Sequence, residues 1–216
     1  MKRGVISAVV VLLVALLATV LVLKYKYKLD YADVSIHQTT AEKTYKNYRE
    51  QTAAAAKKYD LPQEYLLALI VLESSGRKIV PHRFEKHVYA KLDAVARSKQ
   101  SDLEGITSKQ LYGMSVGNMK KLASSWGPFQ IMGYKSFEIG ADIDDLHGTN
   151  AVKTGAQWID KNYGEYLRAG HFKDAFHIHN TGKQYPKISP PKTYNKNYVP
   201  KGLKYMDEFR KMIKSN

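Results

Sequence analysis

The longest apolar stretch comes first: Gly4 to Leu23 is an unbroken run of twenty uncharged residues dominated by Val, Leu, Ile and Ala. As a helix rising about 1.5 Å per residue it reaches about 30 Å, the thickness of a bilayer's hydrocarbon core. No small-x-small cleavage site follows Thr19, which favours a retained anchor over a cleaved leader. Lys2 and Arg3 precede the run, Lys24, Lys26 and Lys28 follow it, and Tyr25 and Tyr27 suit a head-group belt. Residues 1–28 are therefore expected to be a single-pass transmembrane helix with basic flanks. Its flanking charges leave the orientation open. Residues 29–40 are polar without sustained period and read as a tether.

Beyond the tether the period changes to that of helices. Ala41 to Tyr59 is rich in Ala, Lys, Glu and Gln and predicts a helix stopped near Asp60-Leu61-Pro62. Leu61 to Ser74 carries Leu66, Leu67, Leu69, Ile70, Val71 and Leu72, apolar nearly all round, which predicts a core-buried helix opened by Pro62. Further helices are predicted over Arg83 to Arg97, Ser115 to Ser124, Asn150 to Arg168 and Gly202 to Ile213. Only Trp126 to Met132 looks extended, so the expected class is mainly α with a minimal β-hairpin. Residues 183–201, rich in Lys, Tyr and Pro, read as a long ordered loop whose tyrosines line a groove. At 216 residues the chain allows one full domain, placed at 41–216, and no comfortable second one.

Composition narrows the chemistry. The chain has no cysteine, which removes disulfide frameworks, thiol catalysis and thiolate metal sites. Thirty-four Lys and Arg against twenty Asp and Glu give +14, a surface drawn to polyanions, and five of those net charges fall in residues 1–28. Zinc-finger, helix-turn-helix and RNA-binding signatures are missing, so no nucleic-acid partner is expected. His82, His87, His171, His177 and His179 match no zinc spacing, so neither a metal nor another cofactor is expected. Trp126, Tyr185, Tyr194 and Tyr198 are candidates for stacking on sugar rings, with Trp126 equally readable as a core anchor.

Glu73 is the leading chemical candidate. A carboxyl at the end of an apolar helix loses hydration and is expected to hold its proton into the neutral range, where it can protonate a leaving oxygen. Alone, it reads equally well as a helix-terminal acid capped by Ser74 or Ser75. Its company changes the weighting: Glu73-Ser74-Ser75-Gly76 is followed by Gly127-Pro128-Phe129-Gln130, His179-Asn180-Thr181-Gly182 and Tyr198-Val199-Pro200. That order resembles the lysozyme-like lytic transglycosylases over roughly Ala41 to Phe209. Their pattern runs Glu-Ser-x-x, Gly-Leu-Met-Gln, Ala-Tyr-Asn-x-Gly, then a Tyr before a Val.

The resemblance implies a lysozyme-like fold and cleavage of peptidoglycan glycan strands between N-acetylmuramic acid and N-acetylglucosamine. It makes Glu73 the catalytic acid and base, gives Ser75, Gln130 and Asn180 to substrate binding, and sets Tyr198 to hydrogen-bond near Glu73. Pro128-Phe129 replaces Leu-Met, and His179 stands where a tyrosine is usual. Glu73 and Gly127 are 54 residues apart, longer than in compact transglycosylases. The insert beginning Arg83-Phe84-Glu85-Lys86-His87-Val88-Tyr89, with Ser124 to Gly133, is similar to the N-acetylmuramidase domain of phage endolysins.

A hydrolytic muramidase needs a second carboxylate to direct water, and Glu85 is the candidate for that role or for a structural helix-start acid. A catalytically silent glycan-binding scaffold is the rival from another class, weakened by the retained Glu73. The expected setting is a domain facing the periplasm or cell wall, with envelope or virion machinery as a further partner.

Overall fold

The computed structural model describes residues 17–24 and 38–215. The chain divides into two units between Thr39 and Thr40. In the first, residues 17–24 are helical and exposed. Among the described residues no helix is long and apolar enough to cross a membrane. The expected membrane-anchored, single-pass localisation is corrected on that finding. The rest of the Gly4 to Leu23 run, the flanking Lys2, Arg3, Lys26 and Lys28, and residues 29–37 of the tether lie outside the described residues.

The second unit runs from Thr40. Its elements begin α1 (Thr40–Tyr59), α2 (Gln63–Ser74), β1 (Arg83–Phe84), α3 (Lys86–Ala96), β2 (Asp102–Leu103), β3 (Ile106–Thr107) and α4 (Ser108–Leu111). They continue α5 (Val116–Leu122), β4 (Ser124–Trp126), β5 (Ile131–Met132), three 3₁₀ turns between Gly133 and Asn150, α6 (Ala151–Arg168), α7 (Phe172–Thr181) and α8 (Tyr198–Lys214). The unit is mainly helical with few strands.

α2 is the axis. Every residue from Tyr65 to Val71 is buried, because a helix apolar all round must be enclosed on all sides, and α1 and α8 flank it. α1 turns Ala41, Thr44, Tyr48, Thr52 and Ala55 inward, a stripe recurring every three or four residues. α8 does the same with Tyr198, Gly202, Met206 and Phe209, and Arg210 Nε–H donates to Glu64 at 3.0 Å to tie it to the start of α2. A Cβ at position 202 would meet the Phe176 ring at 2.7 Å, so glycine is what lets α8 close on α7.

A second apolar cluster gathers Val88, Leu92 and Val95 of α3 with Leu103, Ile106, Leu111 and Leu122. Glu138 joins this cluster to the helical body, accepting from Trp158 Nε1–H at 2.8 Å while pairing with Lys135 at 2.6 Å. Burial of Lys135 works against its charge, but Glu104 and Glu138 outweigh it and hold its pKa above the ordinary lysine value.

Several boundaries differ from expectation for identifiable reasons. The helix predicted over Arg83 to Arg97 is split: Arg83 and Phe84 pair antiparallel with Ser125 and Ser124, Glu85 N–H donates to Ala123 O at 2.9 Å, and α3 begins at Lys86. α5 is shorter at both ends, because Ser115 Oγ accepts from Asn118 N–H at 3.2 Å and caps its start while Ser124 is taken into β4. α8 starts at Tyr198, ahead of the predicted Gly202, since Pro200 in a first helical turn needs no N–H acceptor. The segment Trp126 to Met132 is extended only at its ends, where β4 and β5 pair as Trp126↔Ile131 and Ser125↔Met132. α7, the hairpin of β2 and β3, and the 3₁₀ turns have no counterpart among the predicted elements.

Candidate functional site

A cleft of about 1190 Å³ opens between the end of α2, β1, the β4–β5 turn, the end of α7 and the start of α8. All six residues selected from the sequence line it: Glu73, Ser75, Glu85, Gln130, Asn180 and Tyr198.

Glu73 stands one residue before the end of α2, whose last turns line the cleft through Val71, Leu72 and Glu73. Its side chain is 17% exposed. α2 stops there because Ser75 takes the left-handed conformation at φ 54° and its N–H closes on Val71 O at 3.0 Å. α1 holds the following turn, with Asn47 Nδ2 donating to Gly76 O at 2.8 Å and Tyr48 Oη donating to Arg77 O. Tyr198, at the first position of α8 and 7% exposed, donates its hydroxyl to Glu73 Oε1. Burial, then the nearby Glu73 charge, pushes the Tyr198 pKa well above its ordinary value, so the phenol stays a proton-bearing donor.

The β4–β5 turn presents Gln130. Gly127 sits at φ +69°, and a Cβ there would lie 2.0 Å from Leu146 O, so no side chain fits. Gln130 is itself held at φ 50°, strained backbone for a non-glycine residue. Ser125 Oγ donates to Gln130 Oε1 at 2.9 Å, and Gln130 Nε2 donates to Gly127 O at 3.1 Å, which fixes the amide's orientation. Asn180 lies at the exposed end of α7, and its Oδ1 accepts from Tyr194 N–H at 3.3 Å.

Glu85 reaches the cleft from the residue before α3. Its Oε1 accepts from Arg83 Nε–H at 2.6 Å, and His87 Nδ1 stands 3.6 Å from Oε2. Of the candidate stacking aromatics, Tyr194 and Tyr198 line the cleft. Trp126 is stacked between His82 and His147, with ring centroids at 4.7 and 5.0 Å, and donates its Nε1–H to Lys121 O. Tyr185 packs edge-on against His177.

Sequence reasoning missed the layer behind Glu73. His179, 5% exposed, stands 3.8 Å from Glu73 Oε1 through Nε2. The same Nε2 faces Phe129 O at 3.0 Å, and Nδ1 faces the Tyr163 hydroxyl at 2.7 Å. These partners define a neutral imidazole carrying its proton on Nε2 and accepting from Tyr163. Burial lowers the His179 pKa below its ordinary value, against the opposing pull of Glu73 and of the Phe129 carbonyl. Tyr163 reaches this position through a break in α6, where its φ of −154° and ψ of 22° are not helical. Behind it, the fully buried Tyr65 hydroxyl stands beside that of Tyr163. The signal that could have found His179 was its place beside Asn180; a mid-helix tyrosine such as Tyr163 carries none.

Among the described residues no group of three or more His, Cys, Asp or Glu is arranged to hold a metal ion. Chemically, the cleft offers one shielded carboxyl among neutral donors, a second carboxyl paired with a guanidinium, and two oriented amides.

No family model and no curated protein matches the chain. Among solved structures it is similar to the crystal structure of Burkholderia AP3 phage endolysin, at 18% sequence identity, over 75% of this chain and 70% of that chain, with a TM-score of 0.52. At that identity the likeness is one of fold, and the shared fold is the mainly helical one described above.

Proposed function

We propose that this chain cuts the glycan strands of peptidoglycan as a lytic transglycosylase, with Glu73 as general acid and then general base. One observation carries the reading: Glu73 is a shielded carboxyl lining a large cleft, fastened by a phenol and neighboured by an imidazole kept neutral. The lysozyme-like motif order and the fold shared with a phage endolysin support it.

In the first step the proton on Glu73 passes to the glycosidic oxygen, the C1–O bond breaks, and N-acetylglucosamine leaves as an alcohol through its 4-oxygen. Positive charge grows at the muramoyl C1 opposite the new Glu73 carboxylate. In the second step that carboxylate takes the proton of the muramoyl 6-hydroxyl as its oxygen bonds to C1, closing a 1,6-anhydro ring and restoring the acid. Gln130 and Asn180 hold acetamido groups with neutral amides that do not compete for the proton.

Glu85 motivates a second reading, a hydrolytic muramidase, because it lines the same cleft with a side chain 20% exposed. Water would then replace the 6-hydroxyl, with Glu85 directing it. Mass spectrometry of products released from purified sacculi separates the two: anhydro-muramoyl ends are expected, and reducing ends would assign the hydrolase. Glu73→Gln is expected to abolish release with the fold intact; a fully active variant would refute both readings.

A further inference from the structure

The cleft carries more positive charge than its chemistry uses. Lys183, Lys192 and Lys201 line it, and none makes an ion pair among the described residues. The acids lining it are engaged elsewhere, Glu73 with Tyr198 and Glu85 with Arg83. From Ala175 to Met206 the sequence has six lysines and no acid, so no neutralising partner is near in the chain.

These lysines sit on backbone that is fixed. His177, 2% exposed, donates Nδ1–H to Lys183 O at 2.6 Å and accepts from Lys192 N–H on Nε2 at 3.3 Å. One imidazole thus pins the backbone of Lys183 and of Lys192 to the end of α7. Lys201 N–H donates to Asn197 O at 2.9 Å within the first turn of α8. A cation in a first helical turn opposes the helix dipole, and that turn holds no acid to offset it. Three cleft-lining ammonium groups without an ion pair among the described residues stand to gain from an anion brought into the cleft.

We propose that Lys183, Lys192 and Lys201 form a carboxylate-binding wall that selects muramoyl-bearing strands over neutral amino-sugar polymers. Its ligand is a carboxylate carried by the muramoyl lactyl group, either the free lactyl carboxylate of a stripped strand or the carboxylates of a stem peptide. The proposal rests on the glycan-cleaving reading and adds to it the charge of the preferred strand.

The test uses the full chain in the Glu73→Gln background, so that binding is read without turnover. Three probes are compared: strands with peptide stems, strands stripped of stems but keeping lactyl carboxylates, and stripped strands with those carboxylates amidated. At low salt the amidated strands are expected to bind about tenfold more weakly than a carboxylate-bearing form, a difference that shrinks as salt screens it. Replacing all three lysines by Gln, which keeps most of each stem, should erase the preference while thermal melting stays unchanged. Preference for stripped strands identifies the lactyl carboxylate, and preference for intact strands identifies the stem. Equal binding of all three probes, or a preference that survives the triple substitution, overturns the proposal. If the unaltered chain cleaves no strand while Glu73→Gln still shows the lysine-dependent preference, the enzymatic reading fails and the carboxylate wall stands.

Discussion

Glu73 and Glu85 line one cleft and are shielded almost equally, at 17% and 20% exposure, yet they hang on opposite kinds of partner. Glu73 meets a phenol and a neutral imidazole, both supplied by the helical body. Glu85 meets the guanidinium of Arg83 from the strand just before it, and Arg83 is itself 77% exposed. A carboxyl among neutral donors can exchange a proton without breaking an ion pair, whereas one held by a guanidinium cannot. Burial alone therefore does not distinguish the two groups; the charge of their neighbours does.

The sharpest way to break this comparison is substitution on both sides. Glu73→Gln should lower strand release by about 10²–10⁴-fold, the range expected for losing a general acid. Tyr198→Phe removes the phenol's hydrogen bond and should lower it by about tenfold, read as kcat/KM on sacculi. Glu85→Gln should cost less than about threefold in a transglycosylase; a loss as deep as that of Glu73→Gln would give both acids chemical roles.

The neutral side of the comparison also makes a pH prediction. His179 has a folded pKa below its unfolded value of about 6.5, so its contribution to stability is fully present above that value and is lost as pH falls through the folded one. Tm should therefore fall from pH 7 to pH 5, and His179→Gln should flatten that fall relative to the unaltered chain. An equal slope in both would remove His179 from the account. The smallest effect is expected at Tyr65, whose hydroxyl is fully buried beside that of Tyr163: Tyr65→Phe should shift stability by no more than about 1 kcal/mol, in either direction, by denaturant unfolding.

What was legible in the sequence follows the same physics. α2 was readable because an all-round apolar helix has one place to go, and Glu73 because it ends that helix. Five of the six cleft residues were found through motif order, which keeps short chemical words intact while the intervening chain varies, and Glu85 through the insert that resembles phage muramidase domains. α7 escaped because it is short and buries His177 beside Ala175 and Phe176, a residue type that blurs the apolar stripe. The layer of His179, Tyr163 and Tyr65 escaped because long-range contacts between α2, α6 and α7 set it, and no local pattern encodes those. The single-pass localisation was the costliest error: twenty uncharged residues met the length rule, while among the described residues no helix is long and apolar enough to cross a membrane.

The glycine at position 127 constrains more than its own turn. Any other residue there begins with a carbon driven into the Leu146 carbonyl, at 2.0 Å. The strand pair that carries Gln130 and the distant short turn that carries Leu146 thus share one clearance. In the history of such a chain neither segment drifts without the other, and a mutational library should find this spot among its least forgiving.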